Sequence, residues 1–391
     1  MSGDNAVDLA IVGGGVAGLW LANLFASRGY RIILLEGGAL GGAQTLASQG
    51  IIHGGLKYSL SGALSSATVA ISTMPRRWRD NLEGQGELDL RPLTPLAERC
   101  HLFAQDAALD RLSSFLASKA MRGRSEKLQP RDYPQAFKHP DFSGVVYAVD
   151  DLIIDTPALI QVLHKRVADR AFHHQLQSSE VEVRADHVLL KIGNRHLHAR
   201  HLLLCAGAGN GPLLQGLGLA KPQMQLRPLH QVIVRHAQLE PLFAHCLSNV
   251  RRTEPRITIT SHWAPDGLLW YLGGQLGGDG VGMAPAALAA HARRELSICV
   301  PWLDWQQARI ESLSIDRAEP LDPRGNRPDQ AFVEAHGPLL VCWPTKLSLT
   351  PDLGDRVRSL LAPPDGSASM KTNLPALGLE AASVGRPPWE K

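Results

Sequence analysis

Apolar and polar positions alternate along this chain in two different periods, and the switches between them mark its elements. Leu9 to Val12 is a short apolar run. Helical spacing follows at once, carrying Leu19, Ala22, Leu24 and Phe25. Gly29 breaks that helix, Ile32 to Leu35 form a second apolar run, and Glu36 ends it. The order strand, turn, helix, strand predicts a βαβ unit. Further strands are expected at 88–93, 100–104, 145–149, 202–205, 231–235, 256–260, 268–272 and 339–343, with alternation also at Val181, Val183, Val188 and Leu190. Helices are expected at 59–83, interrupted by Pro75, and at 107–121, 285–299 and 351–361. Another helix begins at Thr156, which can cap it with Pro157 in the first position, and its apolar face holds Leu159, Val162, Leu163 and Val167. Residues 122–141 are polar and proline-containing, hence loop. Residues 362–391, rich in Pro, Gly, Ala and Ser, are expected to form a loose tail.

The turn of the first unit carries Gly13, Gly15 and Gly18 in the spacing G-x-G-x-x-G. Gly13 permits a sharp turn, Gly15 allows a pyrophosphate to approach the backbone, and Gly18 lets helix and strand pack closely. The helix start at Val16 and Ala17 offers unpaired N–H groups and the positive end of a dipole. Glu36, followed by Gly37, is placed to accept hydrogen bonds from a ribose. A glycine-rich turn alone is weak evidence. Between a strand and a helix, with the acid in place, it points to a dinucleotide.

Composition narrows the class. The 391 residues suffice for two domains and a large core. Forty basic against 37 acidic residues give a net charge of +3, too balanced to argue for nucleic acid. Five scattered cysteines (Cys100, Cys205, Cys246, Cys299, Cys342) read as reduced thiols of a cytoplasmic protein. The polar, acidic start MSGDNAVD lacks a basic region, so no secretory signal is expected. No transmembrane segment is expected, and peripheral membrane contact is left open. His196, His198 and His201 are close in sequence, but only the first two share a strand face and Cys205 lies at the strand's far end; no metal site is assigned.

After Glu36 the chain runs through GGALGGAQTLASQGIIHGGLKY, residues 37–58, where another regular βα unit would be usual. This segment resembles the loop of flavoenzymes of the D-amino-acid oxidase and glycerol-3-phosphate dehydrogenase superfamily. Ile51-Ile52-His53-Gly54-Gly55-Leu56-Lys57-Tyr58 is similar to the I-H-G-G-L-R-Y block of the glycerol-3-phosphate dehydrogenases and the V-I-H-A-G block of the 2-hydroxyglutarate dehydrogenases. The resemblance implies FAD as cofactor, with Thr45, Ser48, Gln49, Gly50, Gly54 and Gly55 along it. Residues 206–209 resemble the family's A-A-G-A motif, which implies that Ala206 and Gly207 lie near the FAD and that Val181 meets the adenine. Residues 339–351 resemble the G-G-K-W-T-T-x-R stretch, which implies that Thr345, Lys346 and Leu347 meet the flavin. Cys342-Trp343-Pro344 replaces glycines there, a departure from the family.

The implied fold is α/β: a Rossmann-like FAD-binding domain with a parallel sheet and helices (1–85, 150–225 and 316–361), and a second α+β substrate domain with a mixed or antiparallel sheet (86–149 and 226–315). The implied chemistry is hydride transfer from a small polar or anionic substrate, a hydroxy acid or polyol phosphate, to flavin N5. His53 could be the base, a covalent flavin anchor, or a histidine hydrogen-bonded under the cofactor. Arg317 suits a carboxylate clamp. Lys346 could promote reaction with oxygen or hold a flavin oxygen. The electron acceptor is open among oxygen, a quinone and a protein. Two alternatives stand beside this: an amine or amino-acid oxidase on the same fold, and a non-catalytic dinucleotide-binding protein.

Overall fold

A computed structural model describes residues 6–54, 71–104, 125–247, 255–322, 328–364 and 377–390. Strand Ala6–Val12 is buried and pairs in parallel with Ile32–Glu36 on one side and Arg195–Leu204 on the other. Ala171–His173 and Leu339–Trp343 extend the sheet outwards, also in parallel. Phe332–His336 adds an antiparallel edge, and Val181–Val183 with Val188–Ile192 pairs antiparallel onto the start of Arg195–Leu204. The near-continuous apolar runs suit strands covered on both faces. Leu9, Ile11, Ile32 and Leu34 pack with helix Val16–Ala26. Val7, Ala10, Val12, Ile33 and Leu35 pack into a separate cluster with Leu204, Leu213 and Val341.

A second eight-stranded sheet runs in the order 309–320, 224–235, 267–273, 257–264, 244–246, 100–104, 145–149, 125–127. It is antiparallel except where Ala244–Cys246 meets Cys100–Ala104. One face is apolar: Val232, Val234, Ile257, Ile259, Trp270 and Leu272 pack against Leu288, Ala292 and Leu296 of helix Pro285–Cys299. Strand alternation places Arg227, Gln231, Thr258, Thr260, Tyr271 and Arg317 on the other face.

Several local expectations change. Residues 88–93 form turns rather than a strand. Leu88, Leu90 and Leu93 are buried because the loop folds back on a helix end, where Asn81 binds Leu88 N–H through its side chain and Leu90 N–H through its carbonyl. Pro75 begins helix Met74–Leu82 instead of interrupting one. The cap of helix Thr156–Lys165 is Asp155, whose carboxylate accepts from Ala158 N at 3.2 Å. The helix expected at 107–121, and Gly55 with Leu56, Lys57 and Tyr58, lie outside the described residues.

The C-terminal residues 377–390 are docked, not loose. Leu40 N donates to Ser383 O, Gly385 N to Leu40 O and His173 N to Glu380 O. Trp389 is buried on the second sheet. Apolar anchors at Leu377, Ala382 and Trp389 outweigh the flexible composition around them. No helix among the described residues is long and apolar enough to cross a membrane.

Candidate active site

The parallel strands converge their carboxyl ends on one edge, and most of the sequence-derived positions follow those ends. Gly13 follows Val12, Glu36 ends its strand, Cys205 and Ala206 follow Leu204, and Pro344 follows Trp343. In doubly wound sheets that edge is where ligands bind. At Gly13 (φ +102°) a Cβ would sit 2.6 Å from Cys205 O, and at Gly18 it would sit 1.9 Å from Gly13 O. Both positions therefore require glycine for the chain's own packing. At Gly15 a Cβ would meet only Thr45 Oγ1, at an ordinary 3.4 Å, so the space beside it is open to a ligand.

Helix Val16–Ala26 starts at Gly15 with no side-chain cap from that residue and no acid in its first turn. Val16 N–H donates to Thr45 Oγ1 at 3.1 Å. Ala17 and Gly18 follow in the first turn, where amides have no intrahelical acceptor. Glu36 is anchored by Gly14 N–H at Oε2 and Gly38 N–H at Oε1 (2.7 Å), and Gly37 packs against Gln175. An electropositive, glycine-lined helix start beside a fixed carboxylate fits the pyrophosphate and ribose of a dinucleotide.

The loop after Thr45 crosses to the second sheet. Ser48 Oγ donates to Thr45 O. The Gln49 amide donates to Tyr271 O (2.9 Å) and Thr258 O (3.2 Å), so its side chain is engaged with the polar sheet face. Tyr271 Oη donates to Ala47 O. Gly50 has φ +70°, and a Cβ there would lie 2.1 Å from Ile154 O. Strand Ile51–Ile52 then pairs with Leu152–Ile153.

That pairing brings together His53, Asp151 and His245. Asp151 Oδ2 lies 2.9 Å from His53 Nδ1 and 3.8 Å from His245 Nε2, and Oδ1 accepts from Gly54 N at 2.7 Å. His245 Nδ1 is 2.9 Å from Thr258 Oγ1, and the two imidazoles stack at 5.8 Å. Asp151 and His245 are almost fully buried, while the His53 side chain is 33% exposed. Burial alone would push the Asp151 carboxyl up. The His245 and His53 imidazoles beside it hold it below the ordinary carboxylate range. A buried carboxylate stripped of such partners costs about 3–5 kcal/mol. The three residues' ligand atoms lie within 4.8 Å of one another, a spacing that a metal ion could also use.

The remaining positions lie on neighbouring elements. Lys346 follows a strained turn: Thr345 has φ +59°, Lys346 N donates to Pro344 O, and Thr345 Oγ1 donates to Gln330 O. For a β-branched residue that conformation costs about 1–3 kcal/mol. Lys346 Nζ is 3.5 Å from Asp329, and Leu347 begins a 3-10 turn that packs beside Ile51–Ile52. His53 and Lys346 thus lie in adjacent loops. Arg317 faces Arg227 across the paired strands, and buried Glu319 accepts from Arg227 at 3.0 Å. Strand Arg309–Pro320 also packs beside Gly207–Gly209. Ala206 N donates to Asn210 Oδ1, and Trp343 Nε1 to Gly207 O at 3.2 Å. Val181 opens the antiparallel extension, opposite Leu190 and next to the cluster that holds Val12 and Leu35. Arg252 and Arg324, further candidate cations for an anionic substrate in the sequence, lie outside the described residues. Arg77 pairs with Glu87 and Asp355, and Arg79 with Asp150.

Asp151, His245, Arg227 and Glu319 were not singled out from the sequence. One signal was available: in Ile257–Ala264 the polar Thr258, Thr260 and His262 alternate with Ile257 and Ile259. Nothing in the sequence pairs Asp151 with His53.

Residues 8–312 match the model of the family described as FAD dependent oxidoreductase. The chain is 44% identical over 390 residues to a probable FAD-dependent oxidoreductase of Pseudomonas aeruginosa, covering 98% of each chain. The crystal structure of an FAD-dependent oxidoreductase from that organism superimposes with a TM-score of 0.83 at 38% identity, over 100% of this chain and 99% of that one. Glycine oxidase from Geobacillus kaustophilus (TM-score 0.66, 18% identity, 93% and 96% covered) shares the fold. So does FAD-bound L-α-glycerophosphate oxidase from Mycoplasma pneumoniae (TM-score 0.62, 13% identity, 98% and 97% covered).

Proposed function

From the premise that this chain belongs to the DAO family of FAD-dependent oxidoreductases, we propose that it oxidises a small anionic alcohol, a hydroxy acid or polyol phosphate. FAD supplies the two-electron acceptor when bound. The observation that carries the reading is His53. It is one-third exposed, with Nδ1 turned to a buried carboxylate, so that Nε2 is the nitrogen that would meet a substrate. Oxidation of an alcohol requires a base for the hydroxyl proton, and an imidazole suits that role near neutral pH.

The other roles follow from position. The amides of Val16, Ala17 and Gly18 beside Gly13 and Gly15 hold the pyrophosphate, and Glu36 with Gly37 the adenosine ribose. Val181 lies against the adenine. Thr45, Ser48, Gln49, Gly50, Gly54, Ala206 and Gly207 line the cofactor through their backbones. Thr345, Lys346 and Leu347 form the turn at its redox end, and Lys346 provides positive charge there. Arg317, on the polar face of the second sheet, binds the substrate anion. The two sheets correspond to a cofactor domain and a substrate domain.

Anaerobic mixing with hydroxy acids, polyol phosphates and amino acids tests the reading. Bleaching of the flavin absorbance by a member of the first two groups is expected. Bleaching by amino acids alone would replace it with the amine-oxidase alternative.

A further inference from the structure

We propose that Asp151 and His245 are positioning residues that turn His53 into a committed base, and that this device assigns the site to a C–OH substrate rather than an amine. The inference rests on the reading of His53 given above. An ionised carboxylate can only accept hydrogen bonds. Oδ1 of Asp151 is engaged by Gly54 N–H, and Oδ2 faces His53 Nδ1 at 2.9 Å. The proton of a neutral His53 therefore sits on Nδ1, and Nε2 carries the lone pair. His245, held by Thr258, closes the other side of the same oxygen.

Among the described residues, few groups face Asp151. Two imidazoles and a backbone amide touch it, and the Cys100 thiol lies close enough for its acidity to respond: burial first, then the Asp151 charge, pushes that thiol well up. Arg79 and Asp150 neutralise each other at 2.7 Å, one residue away. Among the described residues, no arginine or lysine is bound to the Asp151 carboxylate to compete for its charge. Among the described residues the carboxylate is thus shared by the two imidazoles and the Gly54 amide. When His53 takes a proton, the new charge is met by one already in place.

The substrate O–H proton passes to Nε2 of His53. The carbinol C–H leaves with its electron pair to the bound oxidant of the family, FAD, and C–O becomes C=O. A neutral amine can give up a hydride without such a base, so a built base fits an alcohol.

The test uses the full-length holoenzyme with 15N-labelled histidine. Long-range proton–nitrogen spectra, assigned with His53→Gln, are expected to show Nδ1 protonated and Nε2 unprotonated at pH 8. In Asp151→Asn that preference is expected to be lost. Turnover with the hydroxy acid that bleaches the wild type should fall about tenfold or more, with KM changed far less. Should Asp151→Asn fail to fold, Asp151→Glu keeps the charge but displaces it, and a mixture of tautomers is expected. An unchanged tautomer in both variants would overturn the proposal. So would one equivalent of a divalent metal that co-purifies with the wild type and is absent from Asp151→Asn. If instead His53→Gln keeps normal turnover, the base reading itself fails, whatever the tautomer.

Discussion

Burial decides the protonation of His262. Trp389 stacks on it at 4.1 Å, and desolvation pulls its imidazole down to about 3. An unfolded histidine titrates near 6.5. Between those values the unfolded chain binds a proton that the folded chain refuses, so stability present above about pH 6.5 is lost as the pH falls. The slope from this one group reaches about 1.4 kcal/mol per pH unit. Denaturant titrations from pH 7 to pH 4 should show that loss in the wild type and a shallower one in His262→Asn. Identical slopes would mean that His262 is not the responding group. His101, His164 and His201 are depressed for the same first cause and act in the same direction, so the flattening is partial. At this scale the sequence was legible where one residue type has one use, as at Gly13 and Gly18. It was not legible at Asp151, whose role depends on partners 98 and 94 positions away (151 − 53 and 245 − 151).

Among the elements, the turn from Val12 into helix Val16–Ala26 separates two kinds of glycine. Gly18→Ala drives a Cβ into Gly13 O and should prevent a stable fold or lower stability by several kcal/mol, about the scale of severe overpacking. Gly15→Ala meets no backbone and should leave the flavin-free protein's melting temperature nearly unchanged, while reducing flavin retained after gel filtration. A large loss of stability in the second variant would contradict the view that its space belongs to a ligand. The strands and the helix at 285–299 were readable because their apolar spacing is regular. The turns at 88–93 mimicked a strand because buried leucines alternate there in a loop wrapped on a helix end. Thr156 and Asp155 are both good caps, and only backbone geometry chooses between them.

Across the whole molecule, residues 377–390 join the two sheets. Leu40, two residues past the Glu36 loop, is bound to Ser383 and Gly385, while Arg235 donates to Trp389 O and Trp389 covers Tyr271 and His262. Composition predicted looseness for this segment because three apolar anchors are diluted among Pro, Gly and Ala. Trp389→Ala should cost about 3–5 kcal/mol of unfolding free energy, read by chemical denaturation. A loss under 1 kcal/mol, on the order of a surface substitution, would mean that the segment is only resting on the sheet.

The same arrangement sets the central claim: a cofactor edge and a polar sheet face meet at His53. Stopped-flow reduction of the enzyme-bound flavin by the accepted hydroxy acid or polyol phosphate, without oxygen, compares the wild type with His53→Ala at equal flavin content. A rate about a hundredfold or more lower is expected in the variant. Equal rates, or reduction by amino acids alone, would contradict it.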